Sequence, residues 1–306
     1  MLQFCYLTIE TAIANQSGAM EADTISKNGR SLKSLMSRGI KKLIFIMITV
    51  AVGLTTACDK ENAIDENVAK MTMTTAKKGL VGFCLEGTGT AVINWGDGTN
   101  ETTFMDGMTQ HSHTYTNSTV RTITIIGDVT YLRCGYSPHT GDIFDNQLTA
   151  LDISKNAALT FLECRNNQLT TLDVSKNTAL SYLEFVNNQL TTLDVSKNTA
   201  LNILACNHNQ LTALDVSKNT TLTLLACDNN QLTALDVSKN TMLITLGIAV
   251  NLFEAEKLNA LFQTLHSNTV TIDGYTYTKS IHMPYNPGTA TCNPSIAEEK
   301  GWDVDR

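Results

Sequence analysis

The chain has 306 residues, 42% hydrophobic and 17% charged, with 22 Lys and Arg against 29 Asp and Glu for a net charge of −7. That is enough apolar content for one large core or two ordinary ones, and the acidic balance excludes the basic face that nucleic-acid binding needs. Four prolines and no long Gly/Ser tract exclude a largely disordered chain or a flexible stalk.

Residues 1–35 are polar and patternless, so translation is expected to start at Met36 and the first 35 residues to be an untranslated or disordered extension. From Arg38 the chain reads Arg-Gly-Ile-Lys-Lys, an apolar run from Leu43 to Leu54, then Thr-Thr-Ala-Cys. The run is shorter than the roughly 20 residues a membrane-crossing helix needs, and its basic start and small-residue exit read as a signal peptide over 36–57. Cys58 directly after Thr-Thr-Ala resembles a bacterial lipoprotein processing site, which implies that Cys58 is lipidated and holds the chain to a membrane through a lipid anchor. The alternative is a soluble secreted protein cut near Ala57. Residues 58–70 read as an acidic tether, beginning Asp59-Lys-Glu-Asn. Acidic residues after such a Cys resemble the surface-export signals of Bacteroidetes lipoproteins, implying an outer-membrane protein facing the cell surface. In enterobacteria, Asp after the Cys would instead imply inner-membrane retention.

Residues 71–130 are Thr-rich and alternating. Thr90-Ala-Val-Ile-Asn-Trp followed by Gly96-Asp-Gly-Thr reads as a strand entering a tight turn, and Val120-Arg-Thr-Ile-Thr-Ile-Ile as a second strand. Trp95-Gly-Asp-Gly-Thr with His113-Thr-Tyr resembles the polycystic kidney disease (PKD) domain, which implies a β-sandwich-like segment that doubles as an N-terminal cap. Asp97 reads as turn chemistry, and His111 and His113 lack a third ligand, so no metal site is expected.

A 21-residue period governs 131–253. Asn-Gln-Leu begins at Asn146, Asn167, Asn188, Asn209 and Asn230, and Leu-Asp-(Val/Ile)-Ser-Lys-Asn at Leu151, Leu172, Leu193, Leu214 and Leu235. Self-similarity of this kind, on an L-x-x-L-x-L-x-x-N/C-x-L skeleton, defines a leucine-rich-repeat solenoid. Leu162/Cys164 and their equivalents alternate with variable residues, giving a short strand with one buried face and, on stacking, a parallel sheet along one side. Asn167, Asn188, Asn209 and Asn230 are expected to turn inward and satisfy backbone groups at the bend. Cys164, Cys206 and Cys227 share an inward position with Phe185 and Ile248, so the site wants a buried apolar group. The parallel Cβ vectors of stacked neighbours disfavour disulfides. The repeats resemble bacterial cell-surface leucine-rich repeats of the internalin type, in the subgroup with 21-residue units and a cysteine ladder, which implies a surface interaction module and no chemistry.

Beyond Asn251 the spacing of Leu258, Leu261, Phe262 and Leu265 predicts an amphipathic helix, followed by a strand at Thr269-Val-Thr-Ile and a turn at Asn286-Pro-Gly. Residues 254–306 resemble the closing cap of Bacteroidetes leucine-rich-repeat proteins, an α/β cap, with Trp302 expected in its core.

No nucleophile–base pair, phosphate loop or paired-carboxylate pocket stands out, so the chain is read as non-catalytic and without a cofactor. Asp152, Asp173, Asp194, Asp215 and Asp236 read as a solvated row beside Lys155, Lys176, Lys197, Lys218 and Lys239. The informative residues vary while the framework stays fixed. Outward on the Cys-bearing sheet run Phe161, Tyr182, Ile203, Leu224, Thr245; then Glu163, Glu184, Ala205, Ala226, Gly247; then Arg165, Val186, Asn207, Asp228, Ala249. The apolar run with small residues beside it reads as a surface for a macromolecular partner, although aromatic and branched residues also simply favour strands. Three functions remain open: a monomeric, adhesin-like module for a host or neighbouring-cell protein; an accessory carbohydrate-binding lipoprotein; and an envelope spacer without ligand. The two Trp residues, both outside the repeats, weigh toward a protein ligand.

Overall fold

The computed structural model describes residues 68–135 and 145–306. Cys58, the signal segment and most of the tether lie outside the described residues.

Strands β1 (Lys70–Thr75), β2 (Gly79–Asn94), β3 (Asn100–Met105), β4 (Thr109–Tyr115) and β5 (Arg121–Arg133) are antiparallel. The first half of β2 pairs with β4 and the second with β3, while β5 runs along its other edge. Extended chain would separate Phe83 from Trp95 by roughly 40 Å, yet their rings stack with centroids 5.3 Å apart. The sheet therefore folds over on itself, sandwich-like, around Met71, Val81, Phe83, Leu85, Ile93, Trp95, Ile123 and Ile125, all buried. The corner lies where the β2–β5 register shifts. A Cβ on Gly87 would fall 2.2 Å from the Asp128 carbonyl oxygen, and Gly127 has φ 151°. Both positions suit only glycine.

β5 continues past residue 130, and its end, Tyr131-Leu-Arg, is the first rung of the solenoid. β6 (Ala150–Asp152) pairs with β1. β7 (Phe161–Glu163), β8 (Tyr182–Glu184), β9 (Ile203–Ala205), β10 (Leu224–Ala226) and β11 (Thr245–Gly247) then stack in parallel on β5, in register at the repeat period from β7 onward. Helix α1 (Ala255–Thr264) and the hairpin β12 (Val270–Ile272)/β13 (Tyr275–Tyr277) interrupt the sheet. β14 (Lys279–His282) rejoins it, and after α2 (Ser295–Glu298), β15 (Trp302–Asp305) ends it, both parallel. The fold is a leucine-rich-repeat solenoid with a β unit at one end and an α/β cap at the other. One apolar core runs through all three.

The coils are welded by asparagine. Asn209 is typical: its Oδ1 accepts the Leu190 N–H of the previous coil at 3.0 Å, and its Nδ2 donates to Phe185 O and Cys206 O at 3.1 Å. Asn167, Asn188, Asn230 and Asn251 repeat the arrangement, and all are buried. Each side chain thereby satisfies backbone groups of two coils where the chain turns and the strand ladder ends. The ladder extends into both flanks. Asn146 exchanges hydrogen bonds with the backbone of Gly82 in β2, at 3.0 and 2.7 Å. Asn286 in the cap accepts the Asn251 N–H and donates to Ile248 O. The residue before each ladder asparagine from Asn167 onward is left-handed: Asn166, Asn187, His208, Asn229, Val250 and Tyr285 all have φ between 52° and 62°, and Gln147, directly after Asn146, has φ 52°.

A second ladder lies on the opposite wall. Asn156, Asn177, Asn198, Asn219 and Asn240 are fully buried or nearly so. From Asn177 onward, each Nδ2 donates to the preceding coil's apolar residue and asparagine carbonyls, at 2.8–3.0 Å. Between the ladders lie Leu162, Leu183, Leu204, Leu225 and Leu246 with Cys164, Phe185, Cys206, Cys227 and Ile248, none exposed. The six described cysteines are buried, and the hydrogen bond with Cys164, followed by burial, pushes the Cys134 thiol well up.

In the cap, Leu258, Leu261, Phe262 and Leu265 face the core as their spacing predicts. Lys300 closes the C-terminus of α1 by donating to Phe262 O, Gln263 O and Leu265 O, which places a cation at the negative end of the helix. Trp302 is buried and donates its indole N–H to His266 O at 2.9 Å.

Asn209→Ala strands buried amide and carbonyl groups and is expected to lower unfolding free energy by about 3 kcal/mol. Val250→Asn, which removes a β-branched residue from a left-handed position, is expected to raise it by about 1 kcal/mol. Urea denaturation of both variants checks the pair.

Candidate protein-interaction face

Alternation along each three-residue strand sends its central leucine inward and its two outer residues onto the open side of the sheet. The register stacks Tyr131, Phe161, Tyr182, Ile203, Leu224, Thr245 and Ser280 in one column, and Arg133, Glu163, Glu184, Ala205, Ala226, Gly247 and His282 in the next. Arg165, Val186, Asn207, Asp228 and Ala249 follow their strands. The three columns expected from the sequence are thus assembled side by side, but their chemistry divides at β8.

In the half nearest the β unit the side chains pair with one another. The rings of Tyr131, Phe161 and Tyr182 stack in series, with centroids 4.1 Å apart at each step. Arg133 Nε lies 2.8 Å from Glu163 Oε2, and Arg165 Nε lies 3.0 Å from Glu163 Oε1. Arg165 also pairs with Glu184, whose second oxygen accepts the Tyr182 hydroxyl at 2.5 Å. Glu163 and Glu184, expected to be exposed contact residues, are only 3% and 5% exposed. Two guanidiniums and a phenol cover them, a correction to the sequence reading. Burial raises the Glu163 carboxyl above its usual range, opposed by Arg133 and Arg165. Burial, followed by the bond to Glu184, raises the Tyr182 hydroxyl. Arg133 and Tyr131 were not among the candidate residues. Aligning Tyr131-Leu-Arg-Cys with Phe161-Leu-Glu-Cys puts both on this face.

The other half is open and floored by small residues. Ala205, Ala226 and Gly247 form a shallow trough between the half-buried ridge of Ile203, Leu224 and Thr245 and a rim of Asn207 and Asp228. The Asp228 carboxylate is held by the Ala249 N–H on Oδ1 at 2.7 Å. Its Oδ2 leans over the trough: a Cβ on Gly247 would fall 2.6 Å from it. Burial raises the Asp228 carboxyl, with the Ala249 N–H, His282 and His208 acting against the shift.

The remaining candidate residues have structural partners. Hydrogen bonds from Thr99 draw the Asp97 carboxyl down to about 2, and Asp97 Oδ2 lies 2.7 Å from His113 Nε2. The His113 ring stacks on Trp95, and the Tyr115 hydroxyl donates to Trp95 O. His111 Nδ1 lies 2.7 Å from Glu101 Oε1. The Trp-Gly-Asp-Gly-Thr and His-Thr-Tyr segments therefore lock one turn together. Among the described residues no three His, Cys, Asp or Glu converge as a metal site, and no helix is long and apolar enough to cross a membrane. Asp152, Asp173, Asp194, Asp215 and Asp236 are exposed, and each accepts the N–H of the serine two residues on. Those serines hold the first four carboxyls below their usual range. Both tryptophans are buried, whereas Tyr275, Tyr277 and Tyr285 are exposed on the cap.

No protein-family profile matches the chain, and no curated protein matches it. Among solved structures it is similar to the functional domain of InlJ from Listeria monocytogenes, described as including a cysteine ladder, at 26% identity over 57% of this chain and 50% of that one, TM-score 0.39. It is also similar to an internalin, InlF, from Listeria monocytogenes at 22% identity over 52% and 51%, TM-score 0.38. The leucine-rich-repeat domain of APL1B matches at 18% identity over 46% and 55%, TM-score 0.32. The chain spans about half the length of each.

Glu163→Ala leaves Arg133 and Arg165 without their shared carboxylate and is expected to lower stability by about 3 kcal/mol. Ala226→Ser, in the open half, is expected to stay within about 0.5 kcal/mol of the parent. Thermal denaturation of the two variants separates the closed half of the face from the open one.

Proposed function

We propose that the chain is a non-catalytic, surface-displayed binding module, adhesin-like, that takes a protein ligand on the open side of its parallel sheet. One observation carries the reading: a ridge of apolar side chains, Ile203 and Leu224, stands partly exposed beside a floor of Ala and Gly, where the framework has no need of either. A large residue on a flat, rigid face contributes binding area at little entropic cost, and small neighbours let a partner's backbone approach. In this reading Cys58 carries a lipid anchor, the acidic tether lifts the module from the outer membrane, and the protein acts as a monomer toward a host or neighbouring cell.

An accessory carbohydrate-binding role has one specific point in its favour, the exposed pair Tyr275 and Tyr277 on one strand of the cap hairpin. Such rings offer flat amphipathic surfaces.

Panels of surface proteins and polysaccharides, probed with the parent and with an Ile203→Glu/Leu224→Glu variant of unchanged melting temperature, test both. The expected result is a protein hit weakened at least about 100-fold in the variant, the loss of two central anchors at roughly 2 kcal/mol each. A polysaccharide hit that survives in the variant and is lost in Tyr275→Ala/Tyr277→Ala would replace the protein reading with the glycan one.

A further inference from the structure

The two halves of the sheet face differ in charge as well as shape. In the first, two arginines meet two glutamates and three rings stack on one another, so no group there is free for a ligand unless a buried contact is broken. In the second, none of the outward positions of β9, β10, β11, β14 and β15 is Lys or Arg. Instead there are Asp228 on the rim, and Asp303 and Asp305 on β15, which the register places level with Ser280 and His282. Asp305 Oδ2 is bonded to His282 Nδ1 at 2.8 Å. The open trough therefore ends in carboxylates that have histidines, His208 and His282, but no Lys or Arg beside them on this face, while the closed half matches two carboxylates with two guanidiniums.

Asp228 is set for a cation. Its orientation is fixed by two contacts, the Ala249 N–H on Oδ1 and the Asn207 amide oxygen on its own N–H at 3.2 Å. Glycine at 247 is what allows Oδ2 to lie over the trough floor, since any Cβ would displace it. The carboxylate is half-buried, with the Ala249 N–H on Oδ1 and the imidazoles of His282 and His208 near it, and a charge-assisted hydrogen bond from a partner would add to these. No second and third acidic or histidine ligand converges with it among the described residues, so an organic cation fits and a divalent metal does not.

We propose that the half of the face from β9 to β14 docks an extended segment of a protein ligand, whose arginine or lysine side chain seats over Gly247 on the Asp228 carboxylate, with the segment's apolar residues against Ile203 and Leu224. This rests on the protein-binding reading of the face and narrows it to one half and one chemistry.

The test uses the full chain and a fluorescein-labelled nonapeptide alternating Arg with Val and Thr, beside its Glu-for-Arg counterpart, in anisotropy titrations at 20 and 150 mM salt. The expected result is saturable binding of the Arg peptide only, weakened by the higher salt. Asp228→Asn, which keeps the Oδ1 acceptor and the shape, is expected to weaken binding at least about 10-fold, as loss of a charge-assisted contact does. Gly247→Ala is expected to do the same by displacing Oδ2, and Glu184→Gln to leave binding unchanged. Absence of saturable binding by the Arg peptide, equal binding of the Glu peptide, or an unaltered Asp228→Asn variant would overturn the proposal. A panel protein whose binding needs Ile203 and Leu224 but not Asp228 would likewise overturn it, while leaving the face itself as the binding surface.

Discussion

The structure depends on one constraint: a coil of 21 residues must turn sharply twice, and at each turn backbone N–H and C=O groups point inward where neither water nor a neighbouring strand can reach them. An asparagine amide, with one acceptor and two donor hydrogens on a short stem, is the smallest side chain that can satisfy both kinds of group at once. Placed once per coil at the end of the strand, it meets the requirement with partners drawn from two coils, and on the far wall a second asparagine donates to two carbonyls of the preceding coil. Each coil therefore cannot be complete without its neighbour, as expected of a solenoid. The same arithmetic explains the ends. Gly82 of β2 supplies a backbone N–H and C=O to Asn146 in place of a preceding coil, and Asn286 supplies an amide to Ile248 in place of a following repeat.

A face follows from that frame. Because the ladders and the Leu/Cys columns fix the backbone, the outward residues of the strands contribute little to holding the coils and are free to differ from one repeat to the next. Near the β unit that freedom is used for self-satisfaction: stacked rings and a four-membered ion network stiffen the junction where an antiparallel sheet becomes a parallel one. Farther along, Ala, Ala and Gly leave the floor bare. The transition falls between β8 and β9, where Glu gives way to Ala in the second column, and it separates the part of the face that serves the fold from the part available to a partner.

Much of this was legible in the sequence. The 21-residue period gave the solenoid, alternation in Leu162-x-Cys164 gave the buried side of each strand, and the helical spacing of Leu258, Leu261 and Phe262 gave the cap helix. The far-wall ladder was not legible. Asn156, Asn177, Asn198, Asn219 and Asn240 recur as faithfully as the others, but each follows Ser-Lys in a turn, where polar residues are ordinarily solvated. Nor was Asn286, because α1 and the β12–β13 hairpin place it 35 residues from Asn251 rather than 21. The burial of Glu163 and Glu184 was hidden for a different reason. Period-2 alternation assigns a side chain to a face of the sheet, but says nothing of what lies over it, and the covering groups come from Arg133 and Arg165 on two different rungs. The bend in β2 was equally out of reach, since it is set by the approach of Gly87 to Asp128 across a strand pair.

The central claim is that the asparagine ladder joins the β unit, the coils and the cap into one cooperative body. The two tryptophans report its ends, Trp95 in the β unit and Trp302 in the cap. Equilibrium urea unfolding of Trp302→Phe and Trp95→Phe variants, each followed through its remaining tryptophan and through far-ultraviolet circular dichroism, tests the claim directly. Fluorescence and dichroism transitions that superimpose within each variant are the predicted result. A β unit or cap that unfolds at lower urea than the coils, with its own midpoint and slope, would contradict it.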